Sequence, residues 1–320
     1  MNAKFYAGLR RFAVLALLPL LAVPPLFGWG DKGHRMINRL AAENLPLDVP
    51  SFLRNREATE EIEYLGPEPD RWRSPAEPEL SAEQAPDHFI NFEFADMIGP
   101  LPRRRYDYIA RLTAAEMTHR YIAQELQPDK VGFQPYITNE VWERLKAAMR
   151  NYRELTAKHA NTRAVKATVI FYAGWLGHYV ADGSQPLHVS RDYDGWLEKE
   201  NPNGYTTEHG IHSKFETTFV NANLSAADVR PLISAVHPVS DEWSAYLTYL
   251  RKSGSMTERV YQLDKEHGLD GAGTAESRQF TAERLAAGAS MLRDLIYSAW
   301  LESAKPEPQR QGPAKDGQGY

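Results

Sequence analysis

Apolar residues recur along this chain mostly at helical spacing. Met36, Ile37, Leu40 and Ala41 form one stripe over Gly33 to Asn44, punctuated at its end by Pro46 and Pro50. Arg54 to Tyr64 reads as a short Glu-rich helix, and Arg104 to Leu126 and Thr138 to His159 as long amphipathic ones. Thr162 to Ala181 is apolar around most of its circumference, which predicts the buried central helix of the domain. Glu208 to Phe219, Asp241 to Leu263 and Ala275 to Ala304 complete the helical set. Between them lie Gly183 to Gly204, which is loop-like, and Gly66 to Pro86, whose five prolines predict a long loop that something must pin. Few segments alternate with period two and no internal repeat is visible. The fold class is therefore all-α, a single mainly helical domain with long loops.

The two ends read differently. Lys4, Arg10 and Arg11 precede an apolar run of twelve residues, Phe12 to Val23, too short to span a bilayer and followed by Pro24 and Pro25. Residues 1–28 are expected to be a signal peptide cut after Gly28, leaving Trp29 as the new N-terminus of a secreted or periplasmic protein. The domain then runs over 29–304, and 305–320, rich in Pro, Gly, Gln and charge, is expected to be a disordered tail. Losing the three basic residues takes the formal charge from −5 to −8. No global basic field is present to attract nucleic acid or anionic membranes. A pocket whose positive charge comes from bound metal remains open.

The candidate chemistry is metal binding without thiolates, since the chain has no cysteine. Its densest part is His178-x3-Asp182-x5-His188, followed by His212-x3-Glu216. A spacing of four stacks two side chains on one helix face, and imidazole with carboxylate is a zinc-binding combination. Asp182 has two oxygens and can bridge two ions. His188 lies past the predicted helix end, where it can join His212 and Glu216. Three protein ligands leave a coordination position open, the mark of a catalytic zinc. Single pairs of this kind are common on solvent faces; two pairs flanking a lone histidine are not. His209 is a spare ligand or supporting donor, and His119, His159, His237 and His267 read as surface or packing residues.

Trp29-Gly30-Asp31-Lys32-Gly33-His34, Pro86-Asp87-His88-Phe89-Ile90-Asn91 and Gly177-His178-Tyr179-Val180-Ala181-Asp182-Gly183-Ser184-Gln185-Pro186-Leu187-His188 together resemble one superfamily. It is the trinuclear-zinc phosphodiesterase superfamily, which includes the single-strand-specific zinc nucleases of fungi and plants and the bacterial zinc-dependent phospholipases C. The resemblance covers Trp29 to about Phe219. It implies three Zn2+ ions: one on Asp70, His88, His178 and Asp182; a second on the amine and carbonyl of Trp29 with His34 and Asp182; a third on His188, His212 and Glu216. Asp87 and Asp96 compete with Asp70 for its place. An amine still inside a peptide bond cannot donate a lone pair, so cleavage must precede activity.

The resemblance further implies catalytic roles for Asp70, Arg73 and Asp182 and substrate contacts from Phe89 and Asn91. Arg73 could pair with phosphate oxygens or be a surface ion pair. Phe89 could stack on a base or simply pack. The tight WGxxGH turn is similar to the nucleases. Glu216 is similar to the phospholipases, and the Gly-Gly-Asn that nucleases carry between the equivalents of His188 and His212 is missing. The expected activity is an endonuclease on single-stranded nucleic acid or nucleotides, a monomer with no stable protein partner. A phospholipase C acting on phospholipid head groups is the alternative, and a helical binding protein with purely structural metals is a third.

Overall fold

A computed structural model describes residues 29–197 and 200–306 of the chain. The expected signal segment, and the expected tail from residue 307 on, lie outside the described residues. Among the described residues every regular element is helical. The principal helices are α1 (Gly30–Glu43), α2 (Arg56–Leu65), α3 (Arg105–Thr118), α4 (Gln134–Ala157), α5 (Arg163–Ser184), α6 (Glu242–Gly254), α7 (Thr257–Lys265) and α8 (Ala275–Glu302). None is long and apolar enough to cross a membrane.

Helix α5 is the centre of the fold and packs on α1, α2, α4, α6 and α8. Every residue from Leu176 to Ser184 is buried, whereas its first half is partly exposed. The buried half is the one that carries His178 and Asp182. Local chemistry supports the ends of its neighbours: Asn55 accepts from the Ala58 amide at the start of α2, and Thr274 with Ser277 forms a capping box on α8. Helix α1 buries Met36, Ile37, Leu40 and Ala41, the stripe read from its spacing.

Close approach of α5 to α1 depends on Gly177. A Cβ there would lie 2.0 Å from Asn38 Oδ1, and the Asn38 amide donates to the carbonyls of Ile62 (2.8 Å) and Gly174 (2.9 Å). One side chain thus ties α1, α2 and α5 together beside the metal-binding half of α5. Gly177→Ala is expected to destabilise the protein by about 1–3 kcal/mol through overpacking and a displaced amide. Thermal unfolding of the variant checks this, and an unchanged midpoint would contradict it.

Three expectations are corrected. Gly66 to Pro86 is not a continuous loop: it folds into Glu68–Arg71, Pro78–Gln84 and the 3-10 turn Ala85–His88. Pro69, Pro78 and Pro86 sit in first turns, where no amide hydrogen is required, so prolines here start short helices as well as breaking the chain. Asp241 to Leu263 is two helices, α6 ending at Gly254 and α7 opening at Thr257. The Thr257 hydroxyl donates to the Pro186 carbonyl at 3.0 Å, docking the start of α7 on the turn that carries His188. Arg104 to Leu126 ends early, at Thr118, whose hydroxyl donates to the Ala115 carbonyl at 2.9 Å.

Candidate metal centre

The His178 and Asp182 side chains reach the centre from one turn of α5, as their spacing predicts. Each remaining ligand arrives by a separate local device. His34 comes from the second turn of α1, which begins at Gly30 with φ +58°, a left-handed conformation that favours glycine. Asp70 lies in the short helix Glu68–Arg71, and His88 ends the 3-10 turn Ala85–His88. The Gln84 amide donates to the Pro69 carbonyl at 2.7 Å, and its oxygen faces His88 Nε2 at 3.2 Å. His188 sits in the 3-10 turn Pro186–Val189. His212 and Glu216 are not on an ordinary α-helix. A single α turn, Ile211–Ser213, passes into a π-helical segment, Lys214–Phe219, a distortion that recurs at functional sites.

These side chains form three buried groups able to hold a metal ion: His34, His178 and Asp182; Asp70, His88 and His178; His188, His212 and Glu216. Asp182 spans the first two. Its Oδ2 lies 3.2 Å from His88 Nδ1 and 3.3 Å from His178 Nε2, while Oδ1 lies 3.4 Å from His34 Nε2. Asp70 is similarly divided, with Oδ1 at 3.8 Å from His88 Nδ1 and Oδ2 at 3.8 Å from His34 Nε2. In the third group Glu216 Oε2 is 2.9 Å from His212 Nε2 and 3.4 Å from His188 Nε2. Asp70 is the acid the fold brings in; Asp87 instead faces Arg105 at 3.3 Å, and Asp96 pairs with Arg251.

The donor set fits cations. His178, His188 and His212 each turn Nδ1 to a backbone carbonyl, of Gly66 (2.8 Å), His88 (2.8 Å) and Tyr193 (3.0 Å) respectively. Donation there leaves the lone pair on Nε2. His88 turns Nε2 to Gln84, which leaves its lone pair on Nδ1. His178 Nε2 and His88 Nδ1 then face each other at 3.0 Å, and His188 Nε2 and His212 Nε2 at 3.1 Å. Opposed lone pairs at such distances repel unless a cation lies between them. Both nitrogens of His34, both oxygens of Asp70, Asp182 Oδ1 and Glu216 Oε1 are buried and make no hydrogen bond. Each orphaned buried atom costs about 1–3 kcal/mol, a burden that metal coordination relieves.

Before metal binds, burial lowers the pKa of His34 and His212 and brings His88 down to about 3, keeping these rings neutral, the ligand form. Burial opposes ionisation of Asp182, but its interactions with the surrounding imidazoles, His178 foremost, outweigh it and hold the carboxyl well below its usual range. His178 is raised: burial pushes it down, and Asp182 and Asp70 more than reverse that. Burial raises Asp70, and lifts Glu216 to about 8. Zinc entering the third group below that pH must therefore displace a proton from Glu216. Its apparent affinity is expected to rise with pH up to about 8, by as much as about tenfold per unit, and then to level off. Competition with a chromogenic zinc chelator measures this; an affinity already flat across that range would contradict it.

A cleft of about 730 Å³ opens over the groups, with His88, His188 and His212 in its lining. Arg73, Phe89 and Asn91 are in its wall. Arg73 Nη1 is 4.0 Å from Asp70 Oδ1. The Asn91 amide donates to the Lys130 carbonyl at 2.8 Å, so the structure uses this side chain to hold the wall. Trp29 is buried, its indole donating to Ser184 Oγ at 2.6 Å and its ring 5.3 Å from Phe215. It thereby wedges between the ends of the chain segments bearing Asp182 and Glu216. His209 is exposed and turned to the Asp194 carbonyl, outside the three groups.

Sequence reasoning missed the supporting residues. Gln185 accepts from the Leu187 amide at 2.6 Å and donates to Glu216 Oε2 at 3.2 Å. Asp194 Oδ1 accepts from the amides of Gly210 (2.7 Å) and His212 (3.1 Å). No spacing signal marks either residue, because the contacts run between elements or within an irregular loop.

A model of the family described as S1/P1 Nuclease matches residues 29–307. Members of that family carry three zinc ions, the number of donor groups found here. Among curated proteins no match is found. The crystal structure of Clostridium perfringens alpha-toxin from avian strain SWCP is 14% identical, with a TM-score of 0.39 over 84% of this chain and 63% of that one. Alpha toxin from Clostridium absonum is 13% identical, with a TM-score of 0.40 over 87% of this chain and 66% of that one. The chain thus spans less than two thirds of the length of either toxin, and likeness at this level carries no functional argument.

Proposed function

The chain belongs to the S1/P1 nuclease family, and on that footing we propose that it is a secreted zinc-dependent phosphodiester hydrolase, an endonuclease acting on single-stranded nucleic acid. The observation that carries this reading is the cleft itself, which brings three ligand histidines, an aromatic ring and a guanidinium to one surface. Asp70, His88, His178 and Asp182 would hold one zinc, and His188, His212 and Glu216 another. Trp29, His34 and Asp182 would hold the remaining ion once cleavage after Gly28 has freed the Trp29 amine. Zinc supplies Lewis acidity, which acidifies water and offsets the charge that develops on phosphate oxygens.

The chain's own residues do the rest. Asp182, with one oxygen toward each group, would serve two ions. Asp70 sits between the same groups and orients Arg73, whose planar fork matches two non-bridging phosphate oxygens. Phe89 follows His88 directly, so a base stacked on its ring has its phosphate close to the donors. Burial of the ligand side chains lowers the dielectric around them and strengthens their attraction for a cation.

One observation favours a second reading. The His212-x3-Glu216 pair is similar to the phospholipases, and such an enzyme would direct the same chemistry at a phospholipid head group. The deciding experiment uses the form that begins at Trp29, loaded with zinc, on single-stranded DNA, RNA, duplex DNA and phosphatidylcholine vesicles. Turnover of single strands ahead of duplex and lipid is expected. Phe89→Ala should then raise KM about tenfold, since stacking one base contributes about 1–3 kcal/mol. Lipid turnover with intact nucleic acid would replace the nuclease reading.

A further inference from the structure

The chain between His188 and His212 does more than carry ligands. Glu93 holds its start: Glu93 Oε1 accepts from the Ser190 hydroxyl at 2.6 Å and Oε2 from the Arg191 amide at 3.0 Å. Tyr261 donates to the Asp192 carbonyl at 2.6 Å and accepts from the Gly195 amide at 2.9 Å. Asp194 ties the same stretch to Gly210 and His212. A segment without regular structure is thereby fixed at almost every residue from 190 to 195.

What this scaffold presents to the cleft is specific. Arg191 and Tyr193 both line it, as does Phe94. The Arg191 guanidinium lies over the Phe94 ring at 5.8 Å, its Nε makes no hydrogen bond, and the Asp192 carboxylate is 4.0 Å away. Lys130, also in the lining, pairs with Asp129 at 3.7 Å. Tyr193 is 40% exposed and stands edge-on to the His212 ring, 6.1 Å between centroids. An exposed aromatic face beside a partly buried guanidinium is the pairing that binds a nucleoside phosphate: the ring stacks on the base and the fork takes the phosphate. Phe89 and Arg73 already offer that pairing beside His88 and Asp70.

We propose that Phe94, Arg191 and Tyr193 form a second nucleotide subsite on the His188–His212–Glu216 side of the cleft. It holds the nucleotide beyond the bond being cut, so the enzyme is selective for oligonucleotides over small diesters. This rests on the nuclease reading above. The fixed backbone means that the subsite is formed before substrate arrives, which lowers the ordering cost of binding.

The test compares a single-stranded hexanucleotide with bis(4-nitrophenyl) phosphate, a diester that has no nucleoside. For Arg191→Ala and Tyr193→Ala, the ratio of kcat/KM on the two substrates should fall about tenfold or more toward the small diester, mainly through KM on the hexanucleotide. Arg191→Lys should recover little of the loss, because an ammonium lacks the planar fork. Zinc content should match the wild type, which shows that the loop still holds His212. Equal losses on both substrates, or an unchanged ratio, would overturn the subsite while leaving the nuclease reading standing. A wild-type protein that cleaves the small diester and lipid but no hexanucleotide would overturn both.

Discussion

Replacing Asp182 by alanine is expected to remove zinc from two groups at once and to lower turnover by more than about 10³-fold, over 4 kcal/mol of barrier. The reason is geometric. The two oxygens of this one carboxylate face different donor sets, Oδ2 toward His88 and His178 and Oδ1 toward His34. Even outer partners of metal ligands typically contribute about 10–100-fold to affinity or activity, and a ligand shared by two ions exceeds that range. The substitution also removes the charge that sustains the raised pKa of His178. Asp182→Asn is the companion variant. It preserves volume, but its NH2 group can only donate and is directed at one of the two donor sets, so it should lose the ion on that side while disturbing packing less. Zinc content and kcat/KM, measured on protein whose far-ultraviolet dichroism is unchanged, decide the matter. An alanine variant that keeps its full zinc and its turnover would end the bridged arrangement.

Chelation should act on the whole domain as well as on catalysis. Stripping zinc leaves His178 Nε2 facing His88 Nδ1 at 3.0 Å and His188 Nε2 facing His212 Nε2 at 3.1 Å with no metal to join them. It also leaves both Asp70 oxygens without a hydrogen bond. Zinc at a thousand times its dissociation constant adds about 4 kcal/mol per site to the folded state. For a chain of this size that corresponds to a fall on the order of 10 °C in Tm for each site emptied. The ligands come from α1, from the turns before α3, from α5 and from the π-helical segment after it, so the loss is expected in one cooperative transition. Calorimetry of the loaded and chelated protein checks this. A chelated form melting within about 3 °C of the loaded one would show that the groups do not hold metal tightly.

Several features were legible because they depend on spacing along one element. The buried stripe of α1, the apolar circumference of α5 and the facing of His178 with Asp182 all follow from a period of 3.6 residues. The prolines of Gly66 to Pro86 were visible too, yet their meaning depends on position: the same residue that interrupts a helix is tolerated in its first turn, where no amide hydrogen is needed. Glu216 was found by a spacing of four, although the backbone there is π-helical. Its approach to His212 is set by that backbone, with Gln185 holding Glu216 and Asp194 holding the His212 segment from outside.

Taken alone, the amino-acid order determined the helical class, the central helix and the kind of chemistry, since a chain without cysteine can bind zinc only through imidazole, carboxylate and backbone groups. Tertiary structure alone decided that Asp70 rather than Asp87 or Asp96 joins the histidines, that the Asn91 amide is spent on the Lys130 carbonyl, and that Arg191 and Tyr193 face the same cleft as Phe89. The division has a physical cause. Helical periodicity is a local property, carried by residues three or four apart, whereas a metal centre is assembled from atoms that burial and backbone carbonyls bring within about 4 Å across long stretches of sequence.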